Sequence, residues 1–312
     1  MQETRRAILE ELDAGPVTGP SLADRLDVSR TAVWNHVEAL RDAGFEVPST
    51  EAGYRLVSVP EYGAAAVEYG LAAPFEVEYH ASVESTNAVA RERAEAGASD
   101  LVVLADEQTG GRGRRTRGWE SPPGGIWMSV VLRPDRPPAT VPLLTLGAAV
   151  AVTASVRDRG VPAAITWPND VIVPGDGERG GKKLCGVLTE MSGEAGRVSW
   201  VVVGVGLNAN VDPAALPGAA TSIEDRIGSV DRRSLVQAIL DRFASLRDRD
   251  ERILERWRDL NATLDGRVRV ESGAETITGE AVDVTETGAL VVETEAGRRT
   301  LHAGDVTHLR RA

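Results

Sequence analysis

The sequence is nearly without lysine. Of its 35 basic residues only Lys182 and Lys183 are lysine, which leaves 33 arginines. A chain that writes arginine elsewhere and keeps two adjacent lysines marks a place where a compact, shiftable ammonium does what a planar guanidinium cannot. Chance survival of two neighbouring codons in a glycine loop is the alternative. Cysteine is as scarce: Cys185 stands alone, so no internal disulfide is expected. Four scattered histidines, His36, His80, His302 and His308, show no metal-ligand spacing, and a structural metal is not expected. No run of eighteen or more apolar residues occurs, and the start, Met1 to Arg6, leads into an acid-bearing amphipathic stretch. Neither a membrane span nor a signal peptide is expected, and the expected location is the cytoplasm. Positive charge is also in deficit: the net charge of −12 argues against a generic polyanion binder and fits an acidic surface kept in solution by self-repulsion.

What is present fits a globular protein. With 312 residues, 42% of them hydrophobic, the chain can form two or three domains and bury at least one sizeable core. Its most unusual stretch is Asp106 to Trp119, where Arg112, Arg114, Arg115 and Arg117 are set among Gly110, Gly111, Gly113 and Gly118, directly after the apolar run Leu101 to Ala105. Mutually repelling cations on a backbone of high ordering entropy should stay mobile until an anion arrives. The segment reads as an anion-ordered lid, with a solvated basic loop as the plain alternative.

Residues 1 to 57 read as three short helices and a wing. Ile8, Leu9 and Leu12 mark the first, Ser21 would cap Leu22 to Leu26, and Ser29 would cap a third helix to about Ala43, with Val33, Val37 and Leu40 inward. Phe45 to Val47 and Tyr54 to Val57 alternate around Gly53 as a β-wing. This is a winged helix-turn-helix pattern whose third helix presents Arg30, Thr31, Trp34, Asn35, Glu38 and Arg41, and Asn and Arg suit adenine and guanine edges. The segment is itself acidic, six Arg against ten Asp plus Glu, so phosphate contacts would have to come from local arginines such as Arg30 and Arg55 and from dimerisation. A helical protein-interaction module is the alternative. Ser29, Arg30, Thr31, Asn35, Arg41 and Arg55 are the candidate DNA contacts.

After a linker at Ser58 to Gly63, strands are expected at Glu76 to His80, Leu101 to Ala105, Ile126 to Leu132 and Val198 to Val203, and helices from Ser85 to about Ala96, over Pro142 to Arg157 and, in one piece, over Asp231 to Trp257. Ser85 or Thr86 would cap the first of those helices whatever else it did. Ile165-Thr166-Trp167-Pro168-Asn169-Asp170 turns into Val171 to Val173, and a glycine-rich excursion, Pro174 to Gly181, returns as Lys183 to Leu188. That hairpin brings Asp170 and Lys183 to one end of a sheet, a site for a phosphate-bearing reactant beside the arginine lid; Pro-Asn-Asp is also ordinary turn chemistry. Gly204-Val205-Gly206-Leu207-Asn208-Ala209 matches a dinucleotide fingerprint, but two prolines follow and no long helix can begin there. Gly180-Gly181-Lys182 fails as a phosphate loop, because Asp176 stands where its first glycine belongs. From Arg267 short alternating strands between glycine turns suggest a small β-barrel.

The lid, Trp-Pro-Asn-Asp, Lys-Leu-Cys-Gly-Val-Leu and Gly-Val-Gly-Leu-Asn together resemble the bifunctional biotin protein ligases, which also repress transcription. The resemblance covers nearly the whole chain. It implies a multidomain α+β protein: a winged helix-turn-helix over 1–60, a mixed α/β ligase domain over 61–263 and an SH3-like barrel over 264–312. It implies that biotin and ATP give biotinyl-5′-adenylate and pyrophosphate with Mg²⁺, and that a lysine of a biotin carboxyl carrier domain then takes the biotinyl group. By resemblance Ser85, Thr86, Asn87, Gln108, Arg112, Gly113, Arg114 and Lys183 hold biotin. Arg112, Arg114, Arg115, Trp119, Asn169, Asp170, Lys183 and Asn208 serve ATP and the adenylate. Arg114, Lys183 and Asp170 carry the chemistry, Asp170 also being the candidate Mg²⁺ ligand. Operator DNA and a homodimer, whose assembly could depend on ligand, are the implied partners. The pattern departs where Thr166 stands for the usual lysine, Thr116 for the usual lid glycine, and in the long excursion before Lys182. A lipoate or octanoate ligase on the related fold, and a regulator that senses a small acid without ligating it, are the competing readings.

Overall fold

A computed structural model describes residues 1–175, 180–194, 196–272 and 275–309, with the backbone alone at Thr116. Half of the Pro174 to Gly181 excursion, residues 176–179, lies outside the described residues. The chain divides into two compact units, Met1–Leu71 and Ala72–Ala312.

The first unit contains α1 (Glu3–Asp13), α2 (Gly19–Leu26), α3 (Arg30–Asp42), β1 (Ser49–Thr50), β2 (Gly53–Tyr54) and α4 (Ala64–Glu68). Its core is the inward face expected from helical spacing, Ile8, Leu9, Leu12, Leu22, Val33, Val37 and Leu40, closed by Phe45 and Val47. Ser29 caps α3, its Oγ accepting from the Ala32 amide at 3.1 Å. The cap expected at Ser21 is instead Thr18, which accepts from the Ser21 amide at 3.3 Å. Pro20 in the first turn explains the shift, since proline fits a helix start and pulls the boundary towards the N-terminus. The wing ladder is also shorter than expected, because Phe45 and Val47 are spent on the core rather than on cross-strand pairs. Gly53 sits at φ 112°, where a Cβ would lie 2.3 Å from the Val17 carbonyl oxygen, so this turn requires glycine.

The second unit is built on a seven-stranded mixed sheet. In chain order it has β3 (Glu76–Val83), α5 (Thr86–Glu95), β4 (Leu101–Gln108), β5 (Ile126–Leu132), α6 (Pro142–Arg157), β6 (Ala164–Thr166), β7 (Asp170–Pro174), β8 (Gly181–Glu194) and β9 (Arg197–Leu207). The strands run in the order β3-β4-β5-β9-β8-β7-β6, with β3 and β4 parallel and the other neighbours antiparallel. After α7 (Glu224–Ile227), one helix was expected over 231–257, but α8 (Arg232–Leu246) and α9 (Asp250–Leu260) are separate. Residues 247 to 252 carry no apolar side chain, so the apolar stripe is interrupted there; the junction is held by polar contacts instead, Arg136 donating to the Arg247 carbonyl at 2.7 Å and to Asp250 Oδ1 at 3.0 Å, and each half packs on α6.

The stretch Pro138–Arg157 is long and apolar enough to cross a membrane by length and composition, which a search for unbroken apolar runs does not reveal; 72% of it is buried against helices and sheet, the place of a core helix. The C-terminal strands are β10 (Gly266–Ser272), β11 (Glu275–Val284), β12 (Leu290–Thr294), β13 (Gly297–Leu301) and β14 (Asp305–His308). They form an antiparallel sheet in the order β13-β12-β11-β10-β14, as a C-terminal β domain requires, but among the described residues the sheet does not close into the barrel expected. Among the described residues no ladder joins β13 to β14. Four of the five β13 residues are exposed, so this edge has no apolar face with which to close.

Candidate active site

One cavity of about 440 Å³ opens at the end of the large sheet, and the elements around it explain its contents. Lys183 and Gly186 both line it although they are an odd number of residues apart on β8, which alternation alone forbids. A bulge resolves this: Cys185 pairs with Val171 and Lys183 with Ile172, leaving Leu184 unpaired and turning Lys183 to the cavity side. Its Nζ lies 2.7 Å from Asp170 Oδ1 and 4.8 Å from the centre of the Trp119 ring. Trp119 lies against Gly206 and Gly186, which are paired in register; a Cβ on Gly206 would come within 2.7 Å of its Nε1. Gly204 is equally constrained, since a Cβ there would lie 2.1 Å from Asn87 Oδ1. The apparent dinucleotide fingerprint therefore serves close packing inside β9, and no helix begins at its glycines.

The lid already has an anion. Arg114, Arg115 and Arg117 converge on the Asp305 carboxylate of β14 at 3.5, 3.1 and 3.0 Å. Around it Arg112 bridges to Gly118, and the Gly113 amide donates to the Arg117 carbonyl at 2.8 Å. Asp305 replaces part of the charge that was expected from a ligand, which is why the segment is folded here. Arg114 also donates to Asn169 Oδ1 at 3.0 Å. Burial pushes its guanidinium below the ordinary arginine value against the opposing pull of Asp305 and Asp170, yet arginine stays cationic. Arg232, at the start of α8, secures both feet of the lid by donating to Asp106 Oδ1 at 2.6 Å and to the Gly125 carbonyl at 3.2 Å.

At the other end of the cavity a chain of polar groups crosses the sheet. Gln108 Oε1 accepts from the Thr86 amide at 2.8 Å, and Gln108 Nε2 donates to Ser121 Oγ at 2.9 Å. The fully buried Ser129 hydroxyl lies 2.8 Å from Thr86 Oγ1 and 2.6 Å from Asn87 Oδ1. Ser85 precedes α5 without a side-chain capping bond, contrary to expectation, and lines the cavity instead. Two polar atoms in the cavity wall, Asn208 Oδ1 and Trp119 Nε1, are buried without a hydrogen-bond partner among the described residues, an arrangement native proteins rarely tolerate unless a ligand supplies the partner.

Residues 79–208 match the model of the Biotin/lipoate A/B protein ligase family, residues 4–55 an HTH domain and residues 263–309 the Biotin protein ligase C terminal domain. The bifunctional ligase/repressor BirA of Bacillus subtilis is 36% identical over 98% of this chain and 99% of its own length. The chain belongs to the bifunctional biotin protein ligase/repressor family. A biotin–[acetyl-CoA-carboxylase] ligase of Mycobacterium tuberculosis is likewise 36% identical over 74% of this chain and 88% of its own. The Aquifex aeolicus biotin protein ligase solved in complex with biotin and ATP has a TM-score of 0.61 at 26% identity over 75% of this chain and 99% of that one.

Within this family member the cavity gathers Ser85, Thr86, Asn87, Gln108, Arg112, Gly113, Arg114, Trp119, Asn169, Asp170, Lys183 and Asn208, all proposed from sequence. Arg115 is the exception. At φ 53° its side chain turns away, donating to Asp305 Oδ2 at 3.1 Å and the Glu271 carbonyl at 3.0 Å, so its geometry fits a latch rather than a nucleotide contact. Cys185, within the Lys-Leu-Cys-Gly-Val-Leu motif, is packing: burial pushes its thiol far above the ordinary range. In the first unit Arg30, Thr31, Asn35 and Arg55 are exposed, as is Trp34. Arg41 is spent inside the unit, its Nε and Nη2 donating to the Val47 carbonyl at 2.8 and 2.5 Å and Nη2 to Ser49 Oγ at 3.2 Å. In this way Arg41 ties α3 to the wing, unlike the exposed candidates. Sequence reasoning missed Asp305, Ser129 and Glu190. Their only local signal is a polar residue interrupting an apolar strand, which Ser129 shows within Ile126–Leu132.

Proposed function

We propose that this protein activates biotin with ATP as biotinyl-5′-adenylate and transfers the biotinyl group to a lysine of a biotin carboxyl carrier domain, and that its first unit binds operator DNA as a biotin-responsive repressor. The observation that supports ligation most directly is the meeting of Arg114 and Lys183 in one cavity beside the Trp119 ring. When the biotin carboxylate attacks the α-phosphate, an oxygen–phosphorus bond forms and the bond to pyrophosphate breaks, with negative charge approaching negative charge throughout. Arg114 and Lys183 supply fixed positive charge where it develops, in a partly enclosed site where such charge acts strongly. Trp119 offers a ring face to adenine, and Asn169 and Asn208 offer amides to the adenylate. Asp170, 2.7 Å from Lys183, orients and deprotonates the incoming lysine amine. The lid, latched by Asp305, keeps water from the mixed anhydride.

Mg²⁺ fits this site only as a passenger of ATP. Among the described residues no group of three or more His, Cys, Asp or Glu could hold a metal ion, but Mg²⁺ bound to phosphates needs only one or two protein oxygens. Asp170 would provide one, and the ion would add charge neutralisation at the phosphates. In this reading residues 1–60 bind DNA, 61–263 carry the chemistry, 264–312 latch the lid, and a homodimer spans the two half-sites of an operator. Arg30, Thr31, Asn35 and Arg55, with the capped start at Ser29, face the DNA.

Mass spectrometry of a biotin carboxyl carrier domain after incubation with the protein, biotin and ATP tests ligation. One biotinyl group on one lysine is expected; an unmodified acceptor would refute it.

A further inference from the structure

Two residues behind the cavity wall set what the wall can recognise. Resting on the ligase reading above, we propose that Glu190 and Ser129 are positioning residues that fix the hydrogen-bond polarity of Thr86 and so select an acid carrying a cyclic urea over one with an apolar chain. Neither side chain lines the cavity; Ser129 is fully buried on β5 and Glu190 lies on β8.

The polarity follows from which groups can only give or only receive. Asn87 Nδ2 donates to Glu190 Oε2 at 2.8 Å and to the Leu188 carbonyl at 3.4 Å. Both partners are acceptors, so the amide nitrogen faces them and Oδ1 faces Ser129. The Ser129 hydroxyl has one proton, and at 2.6 Å from an amide oxygen it donates there. With the Ser129 proton spent there, the 2.8 Å contact between the two hydroxyls is a hydrogen bond only if Thr86 donates, while Gln108 Oε1, at the longer 3.1 Å, already receives the Thr86 amide. The proton points into the wall, and Thr86 meets the cavity as an acceptor. Beside it Gln108 is fixed too: its Oε1 receives the Thr86 amide, which can only donate, and one Nε2 hydrogen goes to Ser121. The second Nε2 hydrogen remains as a donor. An acceptor next to a donor matches the N–H and C=O edge of a urea. A hydrocarbon or dithiolane chain would leave both unpaired at a cost of about 1–3 kcal/mol each, and sites built on such pairing discriminate strongly.

Glu190→Leu removes the nearer of the two acceptors that orient Asn87, leaving only the Leu188 carbonyl at 3.4 Å; Glu190→Gln keeps a side-chain acceptor while losing the charge that faces Arg91 at 3.7 Å. Steady-state kinetics of acid-dependent pyrophosphate exchange, with biotin and with octanoate, separate the possibilities. For Glu190→Leu the KM for biotin is expected to rise about tenfold while the KM for ATP stays within twofold, so that the biotin-to-octanoate ratio of kcat/KM falls about tenfold; Glu190→Gln should restore it. Ser129→Ala should lower the same ratio, and the double variant with Glu190→Leu should fall no further, since both act through one chain. An unchanged ratio in both single variants, or equal rises in both KM values, overturns the proposal. Absence of biotin-dependent exchange in the wild type would instead overturn the ligase reading itself.

Discussion

At the scale of single residues, the pair Lys183 and Arg114 divides its labour by shape. Lys183 occupies a gap between a carboxylate and an aromatic face that admits a point charge, 2.7 Å from Asp170 and 4.8 Å from the Trp119 centroid. Lys183→Arg keeps the charge but brings a planar fork, and pyrophosphate exchange is expected to fall about 100-fold, a loss typical of a misplaced charge-stabilising donor. Wild-type rates in that variant would show that charge alone suffices. Gly206→Ala should push the indole off its seat, raising the KM for ATP about tenfold with the KM for biotin unmoved. Arg114→Gly is expected to release adenylate into solution, read as free biotinyl-AMP by chromatography; retention as tight as in the wild type would contradict it. The lysine pair was legible because its rarity needs no context. The difference between Arg114 and Arg115 was not: neighbours in a run of identical chemistry are distinguished only by the left-handed backbone at Arg115, which turns one arginine inward and the next to the latch.

At the scale of elements, the lid and the C-terminal sheet form one device. Exposed ion pairs contribute little individually, about 0–1 kcal/mol, but three guanidinium groups on one carboxylate fix that carboxylate only once. Asp305→Asn is expected to leave the fold intact and to speed adenylate dissociation several-fold, a difference that shrinks in high salt; an unchanged off-rate would mean that the latch does not act. The same sheet should be sensitive to acid. Burial pushes His308 below its ordinary 6.5, so the unfolded chain binds the proton first. The stability of the folded sheet is therefore full above about pH 6.5 and is lost as pH falls below it. A plot of midpoint denaturant concentration against pH should decline there, and His308→Gln should flatten that part of the decline. Elements were read well where a local rule decided them, as at the Ser29 cap and the β5 run. The open edge of the C-terminal sheet, the break at Arg247 to Arg249, and Asp305 opposite a lid 190 residues away depend on contacts that no window of sequence contains.

At the scale of the whole molecule, two units with separate cores suggest separable activities. Deleting residues 1–57 should abolish binding to promoter DNA in a mobility-shift assay while leaving ligation within twofold; unchanged DNA binding would remove the repressor function from this unit. Within the first unit charge remains against DNA, so binding should be weak in the monomer and fall steeply with salt, by a slope near 0.9 per phosphate contacted. The account as a whole rests on a carboxylic acid being activated by ATP where Arg114, Lys183 and Trp119 meet. The most direct measurement is the incorporation of labelled pyrophosphate into ATP with and without biotin, in the absence of any acceptor protein. Label should enter ATP only when biotin is present, and Lys183→Arg should suppress it. Incorporation that is independent of biotin, or none with biotin at saturating ATP, would contradict the assignment.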